Sequence, residues 1–134
     1  MAVLKSFLAG FLATIFFHQP TLFLCKLAGL TPRGPYNMQA VPPFGVPSVI
    51  SLAFWGGVWG IVLWLVLRRR KPTTYWTIAL LFGAIAPTLV AAFVVMPLKN
   101  MARPAGWQFA VIGLLVNAAW GLGTALFLRL FRTR

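Results

Sequence analysis

The chain has 134 residues, of which 60% are hydrophobic and 9% are charged. A soluble domain of this size needs more polar surface to cover its core, so the composition excludes an ordinary water-soluble protein. Twelve Lys and Arg stand against no Asp or Glu, a balance that can indicate nucleic-acid binding. Here, however, the basic residues lie at the ends of apolar segments, where membrane helices keep them, which argues against a nucleic-acid partner.

The first apolar segment, Met1 to Phe17, resembles a signal peptide because Lys5 precedes an apolar run. No cleavage site of small residues with a polar sequel follows it. We therefore interpret it as part of an uncleaved first helix.

Four stretches reach the roughly 20 apolar residues that a helix needs to cross a hydrocarbon core of about 30 Å. No Lys or Arg interrupts them. In lipid each stretch must be helical, because every backbone N–H and C=O needs an internal partner. The sequence therefore predicts an all-α, integral membrane four-helix bundle in a single transmembrane domain, residues 1–134. The predicted spans are Ser6–Cys25, Ser48–Leu67, Thr77–Leu98 and Trp107–Leu128.

The basic residues predict how the bundle is oriented. Eight of the twelve lie on the amino terminus, the loop at 68–73 and the carboxy terminus, and four lie on the other two loops. The positive-inside rule therefore places both termini and loop 68–73 on the cytoplasmic side. Tyr75, Trp76 and Trp107 fall where aromatic side chains anchor at headgroups. The eight residues are Lys5, Arg68, Arg69, Arg70, Lys71, Arg129, Arg132 and Arg134; the four are Lys26, Arg33, Lys99 and Arg103.

Two sets of matching residues indicate an internal duplication. A shift of 61 residues aligns the second and fourth helices, and a shift of 67 aligns a Pro-Thr-Leu motif in the first and third. Matches this short also arise by chance in an apolar sequence, so both explanations stay open. A true duplication would give two parallel repeats of one hairpin each. The matches are Trp59, Gly60, Leu65, Leu67 and Arg68 with Trp120, Gly121, Leu126, Leu128 and Arg129, and Pro20–Leu22 with Pro87–Leu89.

The outer loop, residues 30–47, holds five of the ten prolines, which predicts neither helix nor regular strand. It also carries Tyr36, Met38 and Phe44, so we expect it to fold back onto the helix ends. Capping of the bundle and a ligand vestibule are the two uses open to such a loop.

Small residues at four-residue spacing predict where the helices pack, because lipid provides no hydrophobic drive between helices and close backbone contact must replace it. Gly56 and Gly60 form a GxxxG motif in the second helix. This motif serves equally well for contacts within one bundle and for a two-fold homodimer. The predicted stripes are Ser6, Gly10 and Thr14; Gly56 and Gly60; Ala84, Thr88 and Ala92; and Gly121 and Ala125.

The polar side chains predicted at depth are His18 and Gln19 in the first helix and Asn117 in the fourth. Polar groups in hydrocarbon are costly unless they are paired. We therefore expect at least one of His18 and Gln19 to hydrogen-bond Asn117, which would fix the register of these helices. These three residues are the candidate intramembrane polar site, and interhelical packing is the other use for them.

Pro20 and Pro87 are predicted to kink the first and third helices. A proline within a helix lacks an N–H and displaces the carbonyl four residues back, here those of Phe16 and Gly83. Paired discontinuities are typical of transport sites, and His18 beside one of them is placed to relay a proton. The chain has no carboxylate side chain to bind a cation or cycle that proton, which argues against transport.

Catalytic, cofactor and metal motifs are absent from the sequence. One His, one Cys and no carboxylate cannot form a nucleophilic triad, and a metal site needs three or four such ligands. We predict no enzyme activity, no cofactor and no metal. Cys25 is predicted to be a buried small hydrophobe, with no partner for an internal disulfide.

The basic residues at the cytoplasmic ends predict contact with anionic lipid headgroups, because each basic side chain near such a surface gains about 1 kcal/mol. Topology alone also accounts for them. The predicted contact residues are Arg68, Arg69, Arg70, Lys71, Arg129 and Arg132.

Three segments in the first half of the chain, 35–38, 42–47 and 52–57, resemble an uncharacterised family of small four-helix bacterial inner-membrane proteins. They read PYNM, PPFGVP and LAFWGG. The resemblance implies a bacterial inner membrane and no particular mechanism. We expect a non-enzymatic structural or accessory component, with a partner that is a larger membrane protein or a second copy of the chain. The alternative is an oligomeric small-solute channel or transporter.

Overall fold

The computed structural model describes residues 1–101 and 106–133. Within these residues the chain forms four long helices, each apolar enough to cross a membrane, so the predicted all-α four-helix bundle is confirmed. Arg103 and Arg134, which enter the charge bias, lie outside the described residues. The helices are α1 Ala2–Leu27, α2 Ser48–Leu67, α3 Pro72–Leu98 and α4 Trp107–Leu130.

The helix bounds agree with the prediction for α2 and extend beyond it for α1 and α3. Helix α3 begins at Pro72, before the expected Thr77, with Lys71 extended in front of it. Proline suits the first position of a helix because its ring sets φ and its missing N–H would have no partner there. The basic loop is therefore shorter than predicted.

Helices α1 and α4 form the centre of the bundle. Helix α1 packs along α2 and α4, helix α4 packs along α1 and α3, and α2 and α3 contact each other much less. Lys5 Nζ donates to Phe131 O over 2.9 Å, so the start of α1 and the end of α4 lie at the same end. We call this the basic end, because it also carries Arg68–Lys71; the opposite end, with residues 28–47, is the loop end.

Each of the two hairpins, α1 with α2 and α3 with α4, contains a close contact between the backbones of two glycines. A Cβ on Gly60 would lie 2.8 Å from Gly10 Cα, and a Cβ on Gly121 would lie 2.9 Å from Gly83 Cα. This contact agrees with the 61-residue shift between α2 and α4. For α1 and α3 it favours a shift of 73, the separation of Gly10 and Gly83, over the 67 that the Pro-Thr-Leu motif suggests.

A cluster of buried apolar side chains lies between the bundle centre and the basic end, where residues from all four helices meet. Aromatic rings fill the space that the small residues leave open, as the buried Trp64, Tyr75 and Trp120 show. The cluster consists of Ala9, Ala13, Leu63, Trp64, Leu67, Tyr75, Ala79, Trp120, Ala125 and Leu128.

The outer loop contains a short antiparallel ribbon, so the prediction that it has no regular strand is wrong. Strand β1, Ala40–Val41, pairs with β2, Val46–Pro47, in the register Ala40 to Pro47 and Val41 to Val46. Gly45 closes the turn at φ 67°, and its N–H donates to Val41 O over 2.9 Å. The ribbon is only two residues long on each side, and Pro47 ends its second strand, where a missing N–H costs little.

Candidate functional site

Gln19 fastens the outer loop to α1. Its side chain is 3% exposed, its Oε1 accepts the Tyr36 N–H over 2.7 Å, and its Nε2 lies 3.2 Å from His18 Nδ1. Both ends of the amide are therefore used close to the loop end. The described contacts support the capping interpretation of the loop and give Gln19 a structural use.

Asn117 turns toward α3 and away from α1. Its Nδ2 donates to Thr88 Oγ1 over 2.9 Å, and that hydroxyl donates to Ala84 O over 2.7 Å. Among the residues described, no hydrogen bond joins Asn117 to His18 or Gln19, so the predicted bond is wrong. The candidate polar site is divided between two interfaces.

Helix α4 contacts α1 and α3 with two different faces, and Asn117 lies on the face that contacts α3. A Cβ on Gly113 or Gly121 would meet Thr88 or Gly83 of α3, and Asn117 lies between them at four-residue spacing. Residues at this spacing share one face of a helix, so Asn117 faces α3. The face toward α1 is formed by Trp120 and by Gly123, where a Cβ would meet the Phe17 ring.

Trp120 makes a buried polar contact that the sequence analysis missed. Its Nε1 donates to Gly10 O over 3.0 Å, and Thr14 Oγ1 donates to the same carbonyl over 3.1 Å. This joins α4 to α1 in the middle of the bundle. The spacing that pairs Trp120 with Trp59 singled it out, but nothing in the sequence says which carbonyl its indole reaches.

A π-helical turn at Thr14–His18 precedes Pro20 in α1, where a kink was predicted. Gln19 N–H donates to Thr14 O, so Ile15 O loses the donor that an α-helix would give it, and Pro20 has no N–H to replace it. Tyr36 Oη donates to Ile15 O over 2.9 Å. The carbonyl that receives an outside donor is therefore Ile15 O, where Phe16 O was expected, and the outer loop provides the donor.

The second predicted kink is displaced along α3. Pro87 lies inside regular α-helix, and the π-helical turn falls later, at Ala91–Val95. This turn ends two residues before Pro97, just as the first turn ends two residues before Pro20. Pro97, which the sequence analysis passed over, is thus the counterpart of Pro20 in local structure.

The predicted packing residues lie at helix contacts within the bundle. Helix α1 covers Gly56 and Gly60, since a Cβ on Gly10 would meet the Gly56 carbonyl and lie 2.8 Å from Gly60 Cα. Within the chain, the GxxxG motif therefore serves the contact between α1 and α2. Gly121 packs on α3, and Ala125 is fully buried, with its carbonyl accepting the Tyr75 Oη–H over 2.9 Å.

In α3 the predicted stripe is only part of the contact. Thr88 meets α4 as expected and Ala92 is buried, but the closest approach to α4 is through Ala79 and Gly83. Those two positions were missed because several small residues in α3 satisfy the same spacing.

A cleft of about 570 Å³ opens at the basic end between the α2–α3 connection and the end of α4. Four of the six arginines and lysines predicted to contact lipid line it, and Arg69 and Lys71 do not. Apart from Thr133, its other lining residues are apolar or aromatic. The lining residues are Leu67, Arg68, Arg70, Pro72, Tyr75, Leu128, Arg129, Arg132 and Thr133.

Aromatic rings and backbone hold the cleft arginines. The Arg129 guanidinium lies 4.8 Å from the Tyr75 ring centroid and 5.3 Å from that of Trp76, and Arg68 lies 5.4 Å from the Trp64 ring. Arg70 Nε donates to Val66 O over 3.2 Å. The cation–π contacts hold Arg68 and Arg129 by their charge, without a hydrogen-bond acceptor.

Arg132 occupies a position that normally takes glycine. Helices α1, α3 and α4 end in the same hydrogen-bonding pattern, with Gly29, Asn100 and Arg132 at positive φ. Gly and Asn are the usual residues there, whereas a longer side chain at φ 49° costs about 1 kcal/mol. The turn directs Thr133 into the cleft wall, where its Oγ1 is buried with no hydrogen-bond partner among the residues described.

Cys25 is 4% exposed and unpaired, in agreement with its prediction as a buried small hydrophobe.

Comparison of the chain with protein-family models, with curated proteins and with solved structures found no match. The function proposed below therefore rests on the structure and on the sequence analysis.

Proposed function

We propose that the chain is a non-enzymatic structural or accessory protein of a bacterial inner membrane, with both termini on the cytoplasmic side. One observation carries this proposal: the polar side chains at depth are used to hold the bundle together. Asn117 is bound to Thr88, Trp120 to Gly10 O, and Gln19 to the Tyr36 N–H. A transport site needs polar groups that a passing solute can reach.

The orientation is supported by the charge bias. The basic end carries Lys5, Arg68–Lys71, Arg129 and Arg132, whereas Lys26 lies in the last turn of α1, and Arg33 and Lys99 lie in the other two connections. Positive residues flanking membrane helices are retained on the cytoplasmic side. The bacterial inner membrane is supported by the resemblance of segments 35–38, 42–47 and 52–57 to small proteins of that membrane.

An accessory role implies a partner within the membrane, either a larger membrane protein or further copies of this chain. The Gly56 and Gly60 face is not available to it, because α1 covers that face. Contacts to a partner must therefore use the outer surfaces of the helices.

The rival function is an oligomeric small-solute channel or transporter. The π-helical turns beside Pro20 and Pro97 favour it, since such turns are frequent at functional sites. Against it, the Ile15 carbonyl that the first turn frees is bound by Tyr36. Helices α1 and α4 also do not bring His18, Gln19 and Asn117 into one polar site.

Flux in proteoliposomes tests the proposal. Vesicles containing the purified protein are expected to release small polar solutes and protons no faster than empty vesicles. Flux above that of empty vesicles would contradict the proposal if it is lost in the double variant His18→Ala, Asn117→Ala. A matched control is Phe16→Ala, on the exposed outer side of α1, which should leave any such flux unchanged.

A further inference from the structure

We infer that the arginine cleft at the basic end is a binding site for a phosphoryl group, of the kind carried by an anionic phospholipid headgroup. The inference does not depend on the accessory role proposed above. A lipid-binding bundle and a solute-conducting bundle would both satisfy it.

The first step is the charge of the cleft. Arg68 and Arg70 reach it from the α2–α3 connection, and Arg129 and Arg132 reach it from the end of α4. The sequence contains no Asp or Glu, so no carboxylate side chain of the chain can neutralise these four groups. Like charges gathered around one cleft repel each other unless an anion from outside lies between them.

The second step is the shape of the donor set. Guanidinium groups present paired N–H donors that match phosphate oxygens, and they remain charged at any physiological pH. Arg68 and Arg129 lie over aromatic rings at cation–π distance, and these contacts restrict the two side chains before a ligand arrives. Among the described residues Arg70 is hydrogen-bonded through Nε alone, so both of its terminal nitrogens remain for a ligand. Pre-ordered side chains lose less entropy on binding.

The third step is the carboxy-terminal turn. Position 132 has a positive φ, which Gly or Asn adopts at less cost, as at the ends of α1 and α3. The residue at this position is nevertheless an arginine. The turn places Arg132 beside the cleft, so an anion bound there would use the Arg132 side chain.

The cleft also has room and the right surroundings for a headgroup. Its volume of about 570 Å³ is within the roughly 300–1,000 Å³ of small-molecule sites. Arginines at the ends of membrane helices lie at headgroup level, and the buried Leu67 and Leu128 give the cleft an apolar floor. Since two arginines come from the α2–α3 connection and two from the end of α4, a ligand here would join these two parts of the bundle.

The test compares two double variants that remove the same charge from the basic end. Arg70→Gln with Arg132→Gln removes two cleft arginines, and Arg69→Gln with Lys71→Gln removes two basic residues outside the cleft. Native mass spectrometry in detergent measures binding of phosphatidylglycerol, with phosphatidylcholine as the uncharged comparison. We expect the cleft variant to weaken phosphatidylglycerol binding at least about tenfold, and the control less than about twofold.

Inorganic phosphate and pyrophosphate distinguish the source of the phosphoryl group. If neither displaces phosphatidylglycerol, the ligand is a lipid headgroup; if they displace it and bind with the same dependence on Arg70 and Arg132, the cleft takes a free phosphoryl anion. Equal weakening by the two double variants would overturn the inference, because it would show attraction to surface charge alone. Circular dichroism checks folding, and if the cleft variant is not helical, Arg70→Gln against Arg69→Gln decides.

Discussion

Replacing Gly10 by alanine tests the glycine contact on which the first hairpin depends. The added methyl group would lie against the Gly56 carbonyl and 2.8 Å from Gly60 Cα, where ordinary contact needs about 3.6 Å. Both neighbours are backbone atoms, so α1 and α2 must separate by roughly 1 Å. Overpacking of this kind costs about 1–3 kcal/mol.

One interhelical hydrogen bond raises the cost at this position. Trp120 Nε1 of α4 donates to Gly10 O, and such a bond between membrane helices contributes about 0.6 kcal/mol on average. Alanine also favours helix over glycine by up to about 1 kcal/mol, which acts in the opposite direction. The expected net loss in the free energy of unfolding is therefore about 2 kcal/mol.

Gly113→Ala is the matched control, because it has the same change in helix propensity. Its methyl group would meet Thr88 Cγ2 at 3.0 Å, the end of a side chain that can shift by a few tenths of an ångström. We expect its free energy of unfolding to change by less than about 0.5 kcal/mol. Reversible unfolding in mixed dodecyl maltoside and SDS micelles, followed by circular dichroism, measures both variants. Equal stability of Gly10→Ala and Gly113→Ala would refute the glycine contact.

Two further predictions concern the polar contacts at depth. A double-mutant cycle with Thr88→Val and Asn117→Leu should give a coupling energy of about 0.6 kcal/mol in the same unfolding assay, whereas His18→Ala with Asn117→Leu should give none; the reverse result would restore the polar site first predicted. Tyr36→Phe keeps the ring but removes the donor to Ile15 O, so trypsin should cut the outer loop at Arg33 faster. Met38→Leu, at an exposed loop position, should leave that rate unchanged, and equal rates for the two variants would show that the Tyr36 hydroxyl does not hold the loop.

The architecture was predictable because it depends on length and on apolar composition alone. The bounds of α2 follow from Ser48 at its start and the basic block after Leu67, and the uncharged runs leave no other secondary structure possible in lipid. The stripes of Gly10, Gly56 and Gly60 were also readable, since close approach of backbones requires small residues at four-residue spacing.

The rotation of each helix about its axis was not predictable. In lipid every face of a helix is apolar, so hydrophobic periodicity does not say which face meets which neighbour. Asn117 was paired with α1 for this reason, although the glycines on either side of it face α3. The sequence could not show that α4 contacts both α1 and α3, and this arrangement decides where Asn117 and Trp120 point.

For the basic residues, too, the sequence predicted one property and not another. Their position at the helix ends was clear from the sequence, but six adjacent candidates looked alike. Only the turn after Leu67 and the left-handed conformation at Arg132 separate the four arginines of the cleft from Arg69 and Lys71.

Cysteine accessibility tests the central claim, that the chain crosses the membrane four times with its basic end in the cytoplasm. Met38→Cys in the outer loop and Thr73→Cys at the start of α3 are both exposed and change no charge. In a Cys25→Ala background, a membrane-impermeant maleimide should label Met38→Cys on intact bacterial cells and Thr73→Cys only after the inner membrane is opened. Labelling of Thr73→Cys on intact cells, or of both positions from one side, would contradict the account.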